Sequence, residues 1–144
     1  MSNYLKPRMR IRAWTWGAKV EAIIKENITG YSLNLCSGRS GLGNIKIDLI
    51  IWRKDQPNYK HCNMLASGNE IPFDFSSFDT VICDPPYTKL NPPFIDEIVR
   101  VLKPQGKLIY YYPCLPYHKA LGLNKLYVYP NQGAKYIRCL GIFI

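Results

Sequence analysis

Val81-Ile82-Cys83-Asp84-Pro85-Pro86-Tyr87 is a short apolar run that ends on a carboxylate, two prolines and an aromatic. A buried strand that stops this way sets a polar group and a stacking face at the carboxyl edge of a sheet. Open α/β sheets bind their ligands at that edge. The prolines restrict φ and so stiffen the presentation. A plain strand-ending turn uses the same residue types, so the rest of the chain must choose between the two.

Working outward, residues 31–36, 45–51, 59–62, 78–83 and 107–112 pattern as five strands. Glycine-rich residues 37–43 and residues 71–77 read as loops. Val20, Ile23, Ile24 and Ile28 fall at helical spacing, which predicts a helix over residues 18–27 ended by Gly30. Asn91 reads as an N-cap with Pro92 at the first helical position, and a helix with apolar positions Phe94, Ile95, Ile98, Val99 and Leu102 runs to residue 102. Lys103-Pro104-Gln105-Gly106 closes it, and a short helical turn is expected over residues 117–121. Residues 125–129 and 135–143, joined through Pro130-Asn131-Gln132-Gly133, read as a terminal hairpin.

The 144 residues suit one domain, with a basic segment and helix over 1–30 and a core over 31–144. Nineteen Lys and Arg against ten Asp and Glu give a net charge of +9. Lys6, Arg8, Arg10, Arg12 and Lys19 all precede the first acid, Glu21. Clustering of that kind is the electrostatic footprint of a polyanion such as nucleic acid. Residues 6–16 also alternate with period two, so one face of an extended segment is basic, then aromatic at Trp14 and Trp16. The five cysteines are far apart with no CxxC pair, and His61 and His118 are isolated, which is not a zinc or disulfide pattern. Free thiols in a reducing cytoplasm are expected, with no signal peptide and no membrane span.

Two further features bear on a ligand. Ser32-Leu33-Asn34-Leu35-Cys36-Ser37-Gly38-Arg39-Ser40-Gly41-Leu42-Gly43 is a strand running into a turn spaced G-x-x-G-x-G, where glycine permits positive φ and close backbone approach. Asp48 is the one carboxylate in the apolar stretch 45–51, placed where an acid can accept both hydroxyls of a ribose. On these residues and on Asp84-Pro85-Pro86-Tyr87, the chain resembles the class I amino-group methyltransferases that use S-adenosylmethionine, above all the DNA adenine-N6 enzymes. The tetrapeptide is similar to their motif IV and the glycine turn to their motif I.

The resemblance implies an α/β fold, Rossmann-like, with a mostly parallel sheet ended by an antiparallel hairpin. It also implies S-adenosylmethionine as cofactor, held by Asn34, Cys36, Ser37, Gly38, Gly41, Asp48 and Asn63. Asn34 and Asn63 stand where the family carries acids, the second of them after the third strand, so modest cofactor affinity is expected. Trp16-Gly17-Ala18-Lys19 is similar to the family's motif X, and also to an ordinary helix start. In the catalytic half, the resemblance implies that Asp84 and the Pro85 carbonyl accept the two N–H bonds of a target amino group, that Pro86 holds their geometry and that Tyr87 stacks on the base. No metal is expected.

Lys6, Arg8, Arg10, Arg12 and Lys89 are the expected nucleic-acid contacts, phosphate-directed and carrying little sequence information. DNA stands ahead of RNA as substrate. Methylation of adenine N6 or guanine N2 in RNA, or a degenerate fold that binds nucleic acid without catalysis, are the alternatives. At this length no separate target-recognition domain is expected. Only residues 37–44 separate the first two strands, where the family has a full helix and a parallel crossover ordinarily takes a dozen or more residues. One sheet face should therefore be short of helices. The N-terminal helix, a second copy of the chain or a partner subunit is expected to cover it.

Overall fold

The computed structural model describes residues 16–38, 40–49, 62–86, 91–129 and 137–144 of the chain. Its centre is the run read first. Phe78–Cys83 forms β4, whose residues apart from Asp79 are buried. In chain order the other elements are α1 (Ala18–Asn27), β1 (Ser32–Leu35), β2 (Ile45–Asp48), β3 (Met64–Leu65), α2 (Ile95–Val101), β5 (Leu102–Tyr112), β6 (Leu123–Tyr129) and β7 (Arg138–Phe143). One seven-stranded sheet has the order β3-β2-β1-β4-β5-β7-β6. The first five strands are parallel, and β7 runs antiparallel to both β5 and β6. The strand order reverses direction at β1 and β4, which makes their carboxyl ends the switch point of the sheet.

Each face of the sheet has its own apolar layer. Leu33, Leu35, Ile47, Val81, Cys83, Leu108 and Tyr110 meet Ile98 and Val101 of α2 on one side. Ile82, Ile109, Leu140 and Ile142 meet Val20 and Ile24 of α1 on the other. The alternation within β4 and β5 produces the two layers, because successive strand residues point to opposite faces.

The crossover from β1 to β2 uses residues 36–44, with no helix among those described. On this face the N-terminal helix α1 covers the apolar part of the sheet, as expected, and the stretch of β1 beside the loop is polar at Ser32 and Asn34. Ser32 donates from its N–H and its hydroxyl to Asn44 Oδ1 at 3.0 and 3.1 Å, and Asn44 N–H donates back to the Ser32 carbonyl at 3.0 Å. The Asn34 amide donates to the Leu42 carbonyl at 3.1 Å. Gly43 makes the close approach possible. Its φ is +93°, and a Cβ there would come within 3.1 Å of Asn34 Cβ and 3.2 Å of the Asn34 nitrogen. The loop lies on the strand and pairs Ser32 and the Asn34 amide N–H, leaving Asn34 Oδ1 without a partner among the described residues.

Several element boundaries differ from the sequence reading, the second strand among them, which ends at Asp48 and not at residue 51. The third strand lies at Met64–Leu65, paired with Ile47 and Asp48, rather than at 59–62, of which only Cys62 is among the described residues. The second helix begins at Ile95, not at Pro92, after Phe94 in the left-handed region (φ 72°). Asn91 and Pro92 each precede a proline, and that disfavours helical backbone at both. The fifth strand starts at Leu102 and accommodates Lys103–Gly106 as an irregularity, since Phe78 pairs with Leu102 but Thr80 pairs with Lys107. The helix over 18–27 and the strand over 78–83 stand as read, and the terminal hairpin forms with its strands starting at Leu123 and Arg138 instead of 125 and 135. No described helix is long and apolar enough to cross a membrane.

Candidate active site

The carboxyl ends of β1, β2 and β4 bring together most of the described residues that the sequence singled out. Chain leaving β1 turns sharply at Cys36 (φ 60°) and Gly38 (φ 52°). Ser37 between them is buried, and its N–H donates to the Ile47 carbonyl at 3.0 Å. The turn is therefore pinned against β2. Asp48, at the end of β2, accepts the Gly38 N–H through Oδ2 at 2.8 Å and the Leu49 N–H through Oδ1 at 2.7 Å. Two backbone donors orient the carboxylate at the sheet edge, and each of its oxygens has a second lone pair for a further donor.

Two polar atoms at this place are buried with no hydrogen-bond partner among the described residues, Asn34 Oδ1 and Ser37 Oγ. Leaving such an atom unpaired costs about 1–3 kcal/mol. A polar ligand entering the turn would remove that cost. Gly41 in the same loop is exposed.

Asn63 requires a correction. It precedes β3, and its side-chain oxygen accepts the Lys46 N–H at 2.8 Å. It braces the start of the β2–β3 pair instead of standing beyond the carboxyl end of β3. The displacement follows from the later position of β3. The residues that follow β3 at the functional edge are Ala66, whose N–H bonds the Asp48 carbonyl at 3.0 Å, and Ser67. The Ser67 hydroxyl accepts the Asn69 N–H at 3.1 Å and so holds the turn that follows β3.

Asp84 leaves the end of β4, followed by buried Pro85 and partly buried Pro86. Its Oδ2 accepts the Trp16 indole N–H at 2.9 Å. The preceding Cys83 is fully buried and lies against the Cys36 thiol; burial first, then that neighbour, push the Cys83 thiol well above its ordinary value. It is an inert packing group beneath the site. Tyr110 is buried next to it and donates its hydroxyl to the Pro93 carbonyl at 2.9 Å, which ties the segment after the prolines to the core. Burial drives the Tyr110 phenol far upward, so it stays protonated. Tyr87, Lys89, Lys6, Arg8, Arg10 and Arg12 lie outside the described residues.

A cavity of about 710 Å³ lies away from this edge and includes Glu97 and Arg100 in its lining. Those side chains are committed to each other and to the backbone of residues 71–73, so the cavity offers little to a ligand.

Residues 47–110, somewhat less than half of the chain, match a family model described as "Methyltransferase domain". The sheet order and the site geometry agree with that match. The fold is that of a class I methyltransferase. A SAM-dependent methyltransferase from Aquifex aeolicus superposes with a TM-score of 0.58 at 17% identity, covering 94% of this chain and 97% of its own. A protein from Pyrococcus horikoshii OT3 superposes with a TM-score of 0.49 at 20% identity, covering 96% of this chain and 76% of its own. No curated protein matches the sequence. The domain match and the fold support S-adenosylmethionine as cofactor. The two orphaned polar atoms, the positive-φ turn and the oriented Asp48 carboxylate fit such a ligand.

Proposed function

We propose that the chain transfers a methyl group from S-adenosylmethionine to an exocyclic amino nitrogen of a nucleic-acid base, with adenine N6 of DNA the first candidate. The observation that carries this reading is the placement of Asp84-Pro85-Pro86 at the carboxyl end of the central strand, with the Asp84 carboxylate held by an indole N–H. The bound cofactor supplies an electrophilic methyl group on a sulfonium. Ser37 and Gly38 would hold the cofactor against the turn, and the Asp48 carboxylate would accept its ribose hydroxyls.

The chain's own part of the chemistry is to make a poor nucleophile attack. The lone pair of an aromatic amine is delocalised into its ring, so it must be oriented, and positive charge growing on nitrogen must be stabilised. The Asp84 carboxylate accepts one N–H and the Pro85 carbonyl the other, both favouring the charged nitrogen. Tyr87 offers its ring to the base, which in a duplex leaves the stack at a cost of a few kcal/mol. The basic residues Lys6–Arg12 precede Trp16 by four to ten positions in sequence and supply phosphate affinity.

The experiment is transfer of tritiated methyl groups to DNA and to RNA, with nucleoside analysis of the product. Label in N6-methyladenine of DNA is expected. Label confined to RNA moves the reading to an RNA base enzyme. Absence of label together with absence of saturable S-adenosylmethionine binding assigns the fold to a non-catalytic role.

A second copy of the chain is the proposed partner. Strand β6 is an edge of the sheet, and Leu123, Leu126 and Val128 on it are each about half exposed. Sedimentation showing a monomer at every accessible concentration would remove this partner.

A further inference from the structure

We infer that Trp16 is a positioning residue for the Asp84 carboxylate, so that the N-terminal helix sets the geometry of the transfer site. The inference rests on the reaction proposed above. Trp16 stands one residue before Gly17, the N-cap of α1. That helix is fixed to the sheet at both ends. Val20 and Ile24 are buried in the layer with Ile82, Ile109 and Ile142. At the far end the Asn27 carbonyl accepts the Lys107 ammonium at 2.9 Å, and Thr29 N–H donates to the Thr80 hydroxyl at 3.0 Å. The Trp16 ring packs against the same apolar layer. Its position is thus a property of a docked helix and not of a loose terminus.

From that position the indole reaches 68 residues along the chain to Asp84 Oδ2, at 2.9 Å. An indole nitrogen only donates, so the bond requires an acceptor oxygen and fixes which oxygen turns toward the helix. A donor to an ionised carboxylate makes a short, strong bond. Ile82 sits in the α1-side layer and Cys83 in the other, so Asp84 follows on the α1 side by strand alternation. The same face carries Ser32 and Asn34 on β1. Trp16 touches neither amine nor methyl donor in this account. It acts through Asp84, and reactions that depend on near-attack geometry lose rate steeply on small displacements.

The test uses the full chain. Trp16→Phe, which keeps an aromatic ring and removes the N–H, should lower kcat about tenfold or more while the KM values for S-adenosylmethionine and for nucleic acid stay within about twofold. Trp16→His, which keeps a ring N–H, should recover part of the lost kcat. Trp16→Phe placed on Asp84→Asn should lose no more than Asp84→Asn alone. Independently of turnover, the Trp16 indole resonance in a proton–nitrogen correlation spectrum should move in Asp84→Asn. An unchanged resonance overturns the coupling whether or not the protein transfers methyl groups, and it can be read even if the Phe variant does not fold. A raised KM with unchanged kcat, or additive losses in the double variant, also overturns it. Absence of transfer by the parent protein together with a shifted resonance overturns the reaction assigned above and leaves the coupling standing.

Discussion

Gly43 shows how much of this site depends on one hydrogen atom. Its φ of +93° strains any side chain, and the 3.1 Å that would separate an added Cβ from Asn34 Cβ crowds it against β1. Gly43→Ala is expected to cost about 1–2 kcal/mol from backbone strain alone, read as a lower denaturation midpoint. Because the loop it serves also holds the Asn34 amide, S-adenosylmethionine affinity should fall with it in a calorimetric titration. Asp84→Ala should behave differently, abolishing transfer while leaving cofactor binding within about threefold; retained turnover would rule out the proposed grip on the amine. At this scale the sequence was readable where chemistry demanded an unusual string. Asp84-Pro85-Pro86 and Asp48 lie at strand ends as read. Asn63 was misplaced because β3 is two residues long and carries no period. The Trp16–Asp84 bond joins positions 68 apart, a pairing that only the folded sheet reveals.

Among the elements, α2 is the one whose anchoring can be tested by pH. Arg100 donates to the Phe73 and Ile71 carbonyls at 2.7 Å each and pairs with Glu97 at 2.6 Å, while Ile71 N–H donates to Glu97 at 2.7 Å. The pair clamps the loop that buries Ile71. The Arg100 guanidinium, and after it the Ile71 N–H, hold the Glu97 carboxyl below its ordinary value. A depressed carboxyl stabilises the fold above its unfolded value of about 4.3 and loses that contribution as pH falls through the lower folded value. Glu97→Gln should therefore melt below the parent at neutral pH, and the gap should narrow as pH falls below the unfolded value of about 4.3. Arg100→Ala should cost about 2–4 kcal/mol, since it strips several charged hydrogen bonds at once. Asp79 at the other end of the sheet is held low by the Tyr31 N–H and by Lys103, a structural acid that should be indifferent to substrate. Strong periods made α1 and β4 legible to the residue. The start of α2 was not, because a capping pattern at Asn91 competed with the restriction two prolines place on the residues before them, and the prolines won.

For the whole molecule, the net charge of +9 and the run of basic residues before Glu21 predict binding that weakens with salt. Arg8→Ala, Arg10→Ala and Arg12→Ala combined should lower nucleic-acid affinity and flatten the slope of log affinity against log salt by up to about 3 units. An unchanged slope would place the footprint elsewhere on the surface. The architecture was legible because alternating apolar strands, a glycine turn and a terminal hairpin agree on one answer. The polar patch under the β1–β2 crossover was not, since Ser32 and Asn34 look like ordinary strand interruptions until Asn44 and Leu42 are seen folding onto them.

The sheet order has a consequence for synthesis. β1 and β2 leave the ribosome together and close over a short turn, but β1's other neighbour is β4, which pairs Ser32 with Thr80 and Leu33 with Val81. At about 5–20 residues per second, translation leaves the β4-facing edge of β1 unpaired for a few seconds. The seam that will carry Asp84 thus waits on the whole β2–β3 stretch between its two strands, and slow translation or a shortage of chaperones would be felt there.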